Sequence, residues 1–213
     1  MIKKIFFDFD GVLTTDKTGS ETHSKYFSQK IGVNAQELLS KVKQYDREID
    51  AGKMSEIDVW KSICKEAKVE FNPNWLQEAF ISTPIDERML EYARQLKNKY
   101  SVGIITDNST ERMNVIMEQN KGFNIFDTII ISEDVKCTKE GTEIFEITTQ
   151  RANVNAEECI FIDNKQKNVD TAKKVGFIGI FFDDEKRDYD NLFKTIDEIT
   201  LSICQDKDMK KIF

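Results

Sequence analysis

Short apolar runs recur along the chain, and most stop abruptly at a polar residue. Ile5-Phe6-Phe7 ends at Asp8, Val102-Gly103-Ile104-Ile105 ends at Thr106, and Cys159-Ile160-Phe161-Ile162 ends at Asp163. Ile129-Ile130-Ile131 is a further run of the same kind. Runs without alternation are expected of parallel strands covered by helices on both faces. From residue 86 onward such runs alternate with helical spacing. Helices are predicted over 87–99, 110–119, 142–152 and 169–175, and strands over 102–106, 128–131, 159–162 and 178–182. This is the pattern of an α/β fold, a doubly wound parallel sheet.

The stretch 16–83 differs, because it has no strand pattern and several helical ones. A first helix is predicted over 20–31. A second, over 35–50, places Leu38, Leu39, Val42 and Tyr45 at helical spacing. A third, over 55–67, does the same with Ile57, Val59, Trp60, Ile63 and Cys64. Ser55, followed by Glu56 and Asp58, suits an N-cap, and Gly52 breaks the chain before it. A fourth helix over 74–81 is ended by Pro84. The organisation expected is a core made of 1–15 and 84–213, with a small helical cap domain, 16–83, inserted after the first strand. The tail 205–213 is expected to fray.

Composition narrows the function. The chain has 213 residues, 39% of them hydrophobic, enough for one substantial core. A net charge of −7 and a pI near 5.0 argue against a general nucleic-acid partner, which needs a basic face. The four cysteines are scattered and there is one histidine, so neither a zinc site nor a disulfide framework is encoded. The apolar start is cut short at Asp8, well below a secretory segment, and no run reaches membrane-spanning length. The expectation is a cytoplasmic protein with reduced thiols, a small anionic substrate, no membrane or nucleic-acid partner, and either a monomeric or a homodimeric state.

The strand-end acids carry the candidate chemistry. In an extended chain Asp8 and Asp10 project the same way, roughly 6–7 Å apart, while Phe9 points into the core. Gly11 then permits a sharp turn. Two carboxylates about 4 Å apart repel by roughly 4 kcal/mol at an effective dielectric near 20, so such a cluster calls for a cation or a shared proton. Ligands of doubly wound sheets bind beyond the carboxyl ends of the strands, where Asp8, Asp10, Thr106 and Asp163 all fall.

In this order the residues resemble the haloacid dehalogenase-like (HAD) hydrolase superfamily, in its phosphatase type with a helical C1 cap. Ile5 to Thr14 looks like the first motif, Ile104-Ile105-Thr106-Asp107-Asn108 the second, Lys139 the lysine motif and Phe161-Ile162-Asp163-Asn164 the fourth. Lys139 is preferred to Lys136 because Glu143, Ile144 and Phe145 follow it at the family spacing. The resemblance implies a Rossmann-like core in which Asp8 attacks phosphorus to form an aspartyl-phosphate. It implies Asp10 as general acid and base, with a proton affinity above that of Asp8. Mg²⁺ would be held by Asp8, the backbone carbonyl of Asp10 and Asp163. Thr106, Asp107 and Asn108 would hold the phosphoryl group, and Lys139 would offset its charge.

Three positions depart from the family pattern. Asn164 stands where a second Asp is common, which bears on metal affinity. Asp107 stands where Asn is common, so its carboxylate is expected to point away from phosphate. Glu140 replaces a proline. The function implied is a Mg²⁺-dependent phosphatase acting on a small phosphorylated metabolite. Its rivals are a phosphomutase of the β-phosphoglucomutase type and a catalytically silent HAD-like interaction protein. In the cap, Arg47 and Lys53 are expected to read a second anionic group, Tyr45 and Trp60 to pack, and His23 to lie on the surface.

Overall fold

Ile5 and Phe7 pack into one hydrophobic cluster and Phe6 into another, so the first strand is covered on both sides. The fold comes from a computed structural model that describes residues 1–209. Its strands are β1 (Lys4–Phe7), β2 (Ser101–Thr106), β3 (Thr128–Ile131), β4 (Cys159–Asp163) and β5 (Ile178–Phe181). They form one parallel sheet in the order β3-β2-β1-β4-β5. This is the α/β, doubly wound arrangement expected from the apolar runs. Phe7 is in register with Ile104 on β2 and with Ile162 on β4. One residue further along, Asp8 just past β1 and Asp163 at the last position of β4 stand at the carboxyl edge of the sheet.

Five α-helices lie between β1 and the core helix α6 (Glu87–Lys97). They are α1 (Gly19–Ile31), α2 (Ala35–Val42), α3 (Asp46–Asp50), α4 (Glu56–Glu66) and α5 (Asn74–Ile81). The chain leaves and re-enters the core through a narrow neck, where Thr14 bridges Ile85, Thr15 N donates to Pro84 O and Asp86 N donates to Leu13 O. Inside the insert Phe27 stacks on Trp60 with ring centroids 3.8 Å apart. Trp60 is fully buried, whereas Tyr45 is exposed on the outer surface.

The remaining helices are α7 (Thr110–Gln119), α8 (Ser132–Val135), α9 (Glu143–Ala152), α10 (Gln166–Val175) and α11 (Tyr189–Met209). On one face of the sheet, Met89, Leu90 and Ala93 of α6 and Leu192 and Ile196 of α11 pack with Ile5 and Phe7. On the other, Ile144 and Phe145 of α9 and Ala172 of α10 pack with Phe6, Ile105 and Phe161.

Three elements differ from the sequence expectation. The helix expected over 35–50 is two helices, because a turn in which Tyr45 N donates to Val42 O redirects the chain after Val42. That turn carries Asp46 and Asp50 toward the sheet edge. The four-residue α8 is too short to show a period. Helix α11 was not anticipated, although Leu192, Phe193, Ile196 and Ile199 recur at helical spacing. It runs to Met209, so the frayed tail expected over 205–213 is helical to that point, and 210–213 lie outside the described residues. Among the described residues, no helix is long and apolar enough to cross a membrane, and Cys64, Cys137 and Cys159 are unpaired.

Candidate active site

Asp8 caps the turn that follows β1, its Oδ1 accepting the Phe9 N–H at 2.7 Å. The turn passes through Gly11 at φ +81°, and a Cβ there would lie 2.1 Å from Asn164 Nδ2, so only glycine fits. Asp8 and Asp10 line the same cavity, while Phe9 is buried with its ring centroid 5.6 Å from that of Phe123. Arg187, which the sequence reading passed over, fastens this turn: its guanidinium donates to the carbonyls of Gly11, Val12 and Thr14 and pairs with Asp86.

Lys139 lies between two acids. Its Nζ is 2.5 Å from Asp8 Oδ1 and 2.8 Å from Asp163 Oδ2, and all three side chains are buried. Asp163 is further fixed by the Asn168 amide at 3.0 Å and the Lys165 N–H at 2.7 Å. Burial, then the charge of Asp163, pushes the Asp8 carboxyl up to about 7 against the opposing pull of Lys139. The same two carboxylates hold the Lys139 ammonium above its ordinary value despite burial.

Asp10 has a different partner. Arg112, on α7 and 2% exposed, grips it with both terminal nitrogens, Nη1 donating to Oδ2 at 2.7 Å and Nη2 to Oδ1 at 2.8 Å. Asn108 Nδ2 adds a bond to Oδ2 at 3.0 Å. Burial alone would raise Asp10, but the guanidinium and its hydrogen bonds outweigh it and leave the carboxyl below its ordinary value. This reverses the order expected from the sequence, in which Asp10 held its proton more tightly than Asp8. Two causes act together: burial and the charge of Asp163 push Asp8 up, and Arg112 pulls Asp10 down.

The other candidates divide. Asn108 and Asp107 line the cavity above the strand ends, and the Asp107 carboxylate accepts the Lys139 backbone N–H at 2.9 Å. The Thr106 hydroxyl accepts from Asn108 at 3.2 Å, and Ser109 rather than Thr106 lines the cavity. Arg47 is exposed and paired with Glu140 outside the cavity. Lys53 lines a separate groove of about 600 Å³ with Lys41, Tyr45 and Glu66. Neither basic residue reaches the acids. His23 is not on the surface but 2% exposed, with Nδ1 2.5 Å from Glu56 Oε1. Missed by sequence reasoning were Arg112, Lys165, Ser109 and the acids of α3 and α4. The spacing of four from Asn108 to Arg112 was the one available hint.

The cavity holds about 140 Å³ and is walled by the core residues Asp8, Asp10, Asn108, Arg112, Lys139 and Lys165 and by the start of α1, α3 and α4. Its donor set suits a hard cation at one corner. Asp8 and Asp163 are two neighbouring buried carboxylates, and the side-chain oxygen Oδ1 of adjacent Asn164 is buried without a partner. The Asp10 carboxylate is occupied by Arg112, so Asp10 could offer only its backbone carbonyl. Among the described residues, no group of three or more His, Cys, Asp and Glu side chains is gathered for a metal. Two carboxylates completed by water and substrate oxygens are a common holding for Mg²⁺.

The chain is similar to known hydrolases. A family model described as haloacid dehalogenase-like hydrolase matches residues 2–176. A D-ribitol-5-phosphate phosphatase from Bacteroides thetaiotaomicron is 26% identical over 188 residues, 83% of this chain and 90% of its own. A sesquiterpene phosphatase from Aspergillus oryzae is 29% identical over 100 residues, 46% of this chain and 51% of its own. Among solved structures, a HAD family enzyme from Bacteroides thetaiotaomicron superposes with a TM-score of 0.71 at 18% identity, covering 90% of this chain and 98% of that one. Its magnesium complex superposes with a TM-score of 0.68 at 22% identity, covering 84% and 92%. At such identities the superpositions speak to the fold.

Proposed function

The chain belongs to the haloacid dehalogenase-like hydrolases and is a phosphoric monoester hydrolase, and we propose that it releases phosphate from a small phosphorylated metabolite through an aspartyl-phosphate on Asp8. The observation that carries this reading is the convergence of Asp8 and Asp163 on the Lys139 ammonium at 2.5 and 2.8 Å. Three residues far apart in sequence meet where phosphate charge would need to be met.

Asp8 Oδ1 takes the bonds from Phe9 and Lys139, which leaves Oδ2 as the attacking oxygen. As the Oδ2–P bond forms, the ester P–O bond breaks and Asp10 gives its proton to the leaving oxygen. A water then attacks phosphorus, gives its proton to Asp10 and releases Asp8. Arg112 holds free Asp10 ionised, which suits the second step. For the first step, the incoming phosphate raises the proton affinity of Asp10 through like charge and competes for Arg112. Lys139 and Lys165 offset charge on the phosphoryl oxygens, and Asn108 offers its side-chain amide. Mg²⁺, held by Asp8 and Asp163 with Asn164 beside them, would supply positive charge that draws the phosphate in and keeps Asp8 ionised. The inserted helices, as a cap comprising 16–83, would close over the substrate and limit water.

Purified protein incubated with phosphorylated metabolites, with and without Mg²⁺, tests the proposal. Mg²⁺-dependent release of inorganic phosphate is expected. Isomerised phosphate ester in place of free phosphate would assign a phosphomutase, and no reaction with any ester would remove the enzymatic reading.

A further inference from the structure

One wall of the cavity comes from the core and the other from the helical insert. Beyond 17–19, where the Lys17 ammonium pairs with Glu185 at 2.6 Å, the insert contributes Ser20 and His23 from α1, Asp46, Ile49 and Asp50 from α3, and Glu56 from α4. Of these only Ile49 is apolar. Ser20 Oγ donates to Asp46 Oδ1, and His23 Nδ1 faces Glu56 Oε1. Two groups remain open. His23 Nε2 is buried with no hydrogen-bond partner, although the residue is 2% exposed. Among the described residues, no hydrogen bond reaches the Asp50 carboxylate. A buried imidazole nitrogen without a partner is unfavourable unless a ligand satisfies it.

The chemistry of this wall excludes several leaving groups. Three carboxylates would repel a second phosphate, and Lys17, the lysine that the insert brings to the cavity, is already paired with Glu185. An alkyl or terpenoid chain would strip water from those carboxylates and return no hydrogen bonds. An ammonium would meet the acids, but Lys17, Arg112, Lys139 and Lys165 line the same cavity and would repel it. Hydroxyl groups both donate and accept, and they match acids, hydroxyl and imidazole alike. The volume of about 140 Å³, room for on the order of ten waters, limits the ester to a few carbons. We infer that the insert wall, centred on Asp50, His23 and Glu56, is a leaving-group subsite that selects a short polyhydroxylated phosphate monoester. The inference rests on the phosphatase reading and adds its substrate class.

The test measures kcat/KM of the full chain with Mg²⁺ on four esters: an alditol phosphate, an n-alkyl phosphate of matched length, an aminoalkyl phosphate and an alditol bisphosphate. The alditol monophosphate is expected to lead the alkyl and aminoalkyl esters by roughly a hundredfold or more. Asp50→Asn is expected to cut that lead roughly tenfold, through a raised KM for the alditol ester. Ser20→Ala, which should shift the same ratio in the same direction, carries the test if Asp50→Asn does not fold. As the single histidine of the chain, His23 also gives an isolated imidazole NMR signal, which the dephosphorylated alditol together with inorganic phosphate should move. Equal turnover of the alkyl ester, or a preference for the amine or the bisphosphate, would overturn the inference and leave the phosphatase reading intact. No turnover of any of the four would overturn both.

Discussion

Arg112 and Asp10, 102 residues apart in sequence, form a two-pronged ion pair in which each terminal guanidinium nitrogen donates to its own carboxyl oxygen, at 2.7 and 2.8 Å. The pair joins α7 to the turn that follows β1. Its charges are almost entirely out of water, with side-chain exposures of 2% and 13%. Gly19, at the start of α1, makes the pair reachable from the insert as well, since a Cβ there would lie 2.8 Å from the guanidinium carbon.

Removing one partner of such a pair leaves a buried charge uncompensated. Arg112→Met should therefore cost about 3–5 kcal/mol of stability, a fall in Tm of roughly 6–20 °C for a chain of this size. Arg112→Lys keeps the charge but not the fork, so it should fold and lose at least roughly tenfold in kcat/KM. Thermal unfolding and steady-state kinetics check both. A fully active and equally stable Arg112→Met protein would show that the pair holds nothing in place.

Magnesium should stabilise the wild-type protein in proportion to its saturation. At a hundredfold excess over Kd the gain is about 2.7 kcal/mol, or a rise in Tm of roughly 5–10 °C. Asp163→Asn should lose most of that rise, because one of the two buried carboxylates beside Lys139 is gone. An undiminished Mg²⁺ shift in this variant would move the cation elsewhere.

Glu56 links pH to the stability of the insert. Burial pushes its carboxyl up, but His23 and then Arg112 push harder the other way, so it lies below its ordinary value of 4.5. A folded carboxyl that is lowered adds stability above the unfolded value, and that stability is lost as pH falls through the folded one. The stability of the wild type relative to Glu56→Gln should thus decline as the pH falls below about 4.5. Chemical denaturation of both proteins across that range measures the difference. A difference that grows on acidification would assign Glu56 the opposite role.

Much of the candidate site was legible because Asp8 and Asp163 end apolar runs, and a strand end cannot hide its last polar side chain. Lys139 was legible through motif order. Arg112 was not, because within the sequence 110–119 it reads as one more charge on a polar helix face, and only the crossing of α7 over the β1 turn brings it to Asp10. His23 was misread for a similar reason: a single histidine mid-helix shows no period, and its burial comes from Glu56 and from Phe80, whose ring centroid is 5.1 Å from its own. The break between α2 and α3 was hidden by Tyr45, which continues the apolar spacing of Leu38 and Val42 yet is exposed on the outer surface. Missing that break also concealed Asp46 and Asp50 as cavity residues.

Trapping the phosphoryl group on Asp8 is the most direct test. Asp10→Asn can still be phosphorylated by p-nitrophenyl phosphate, whose leaving group needs no acid, but cannot activate the water that completes turnover. Acid quench of a single turnover followed by peptide mass spectrometry should find a phosphoryl group on the peptide carrying Asp8, and none after Asp8→Asn. Nitrophenol release from Asp10→Asn with no phosphoryl group on Asp8 at any quench time would contradict covalent catalysis at this residue.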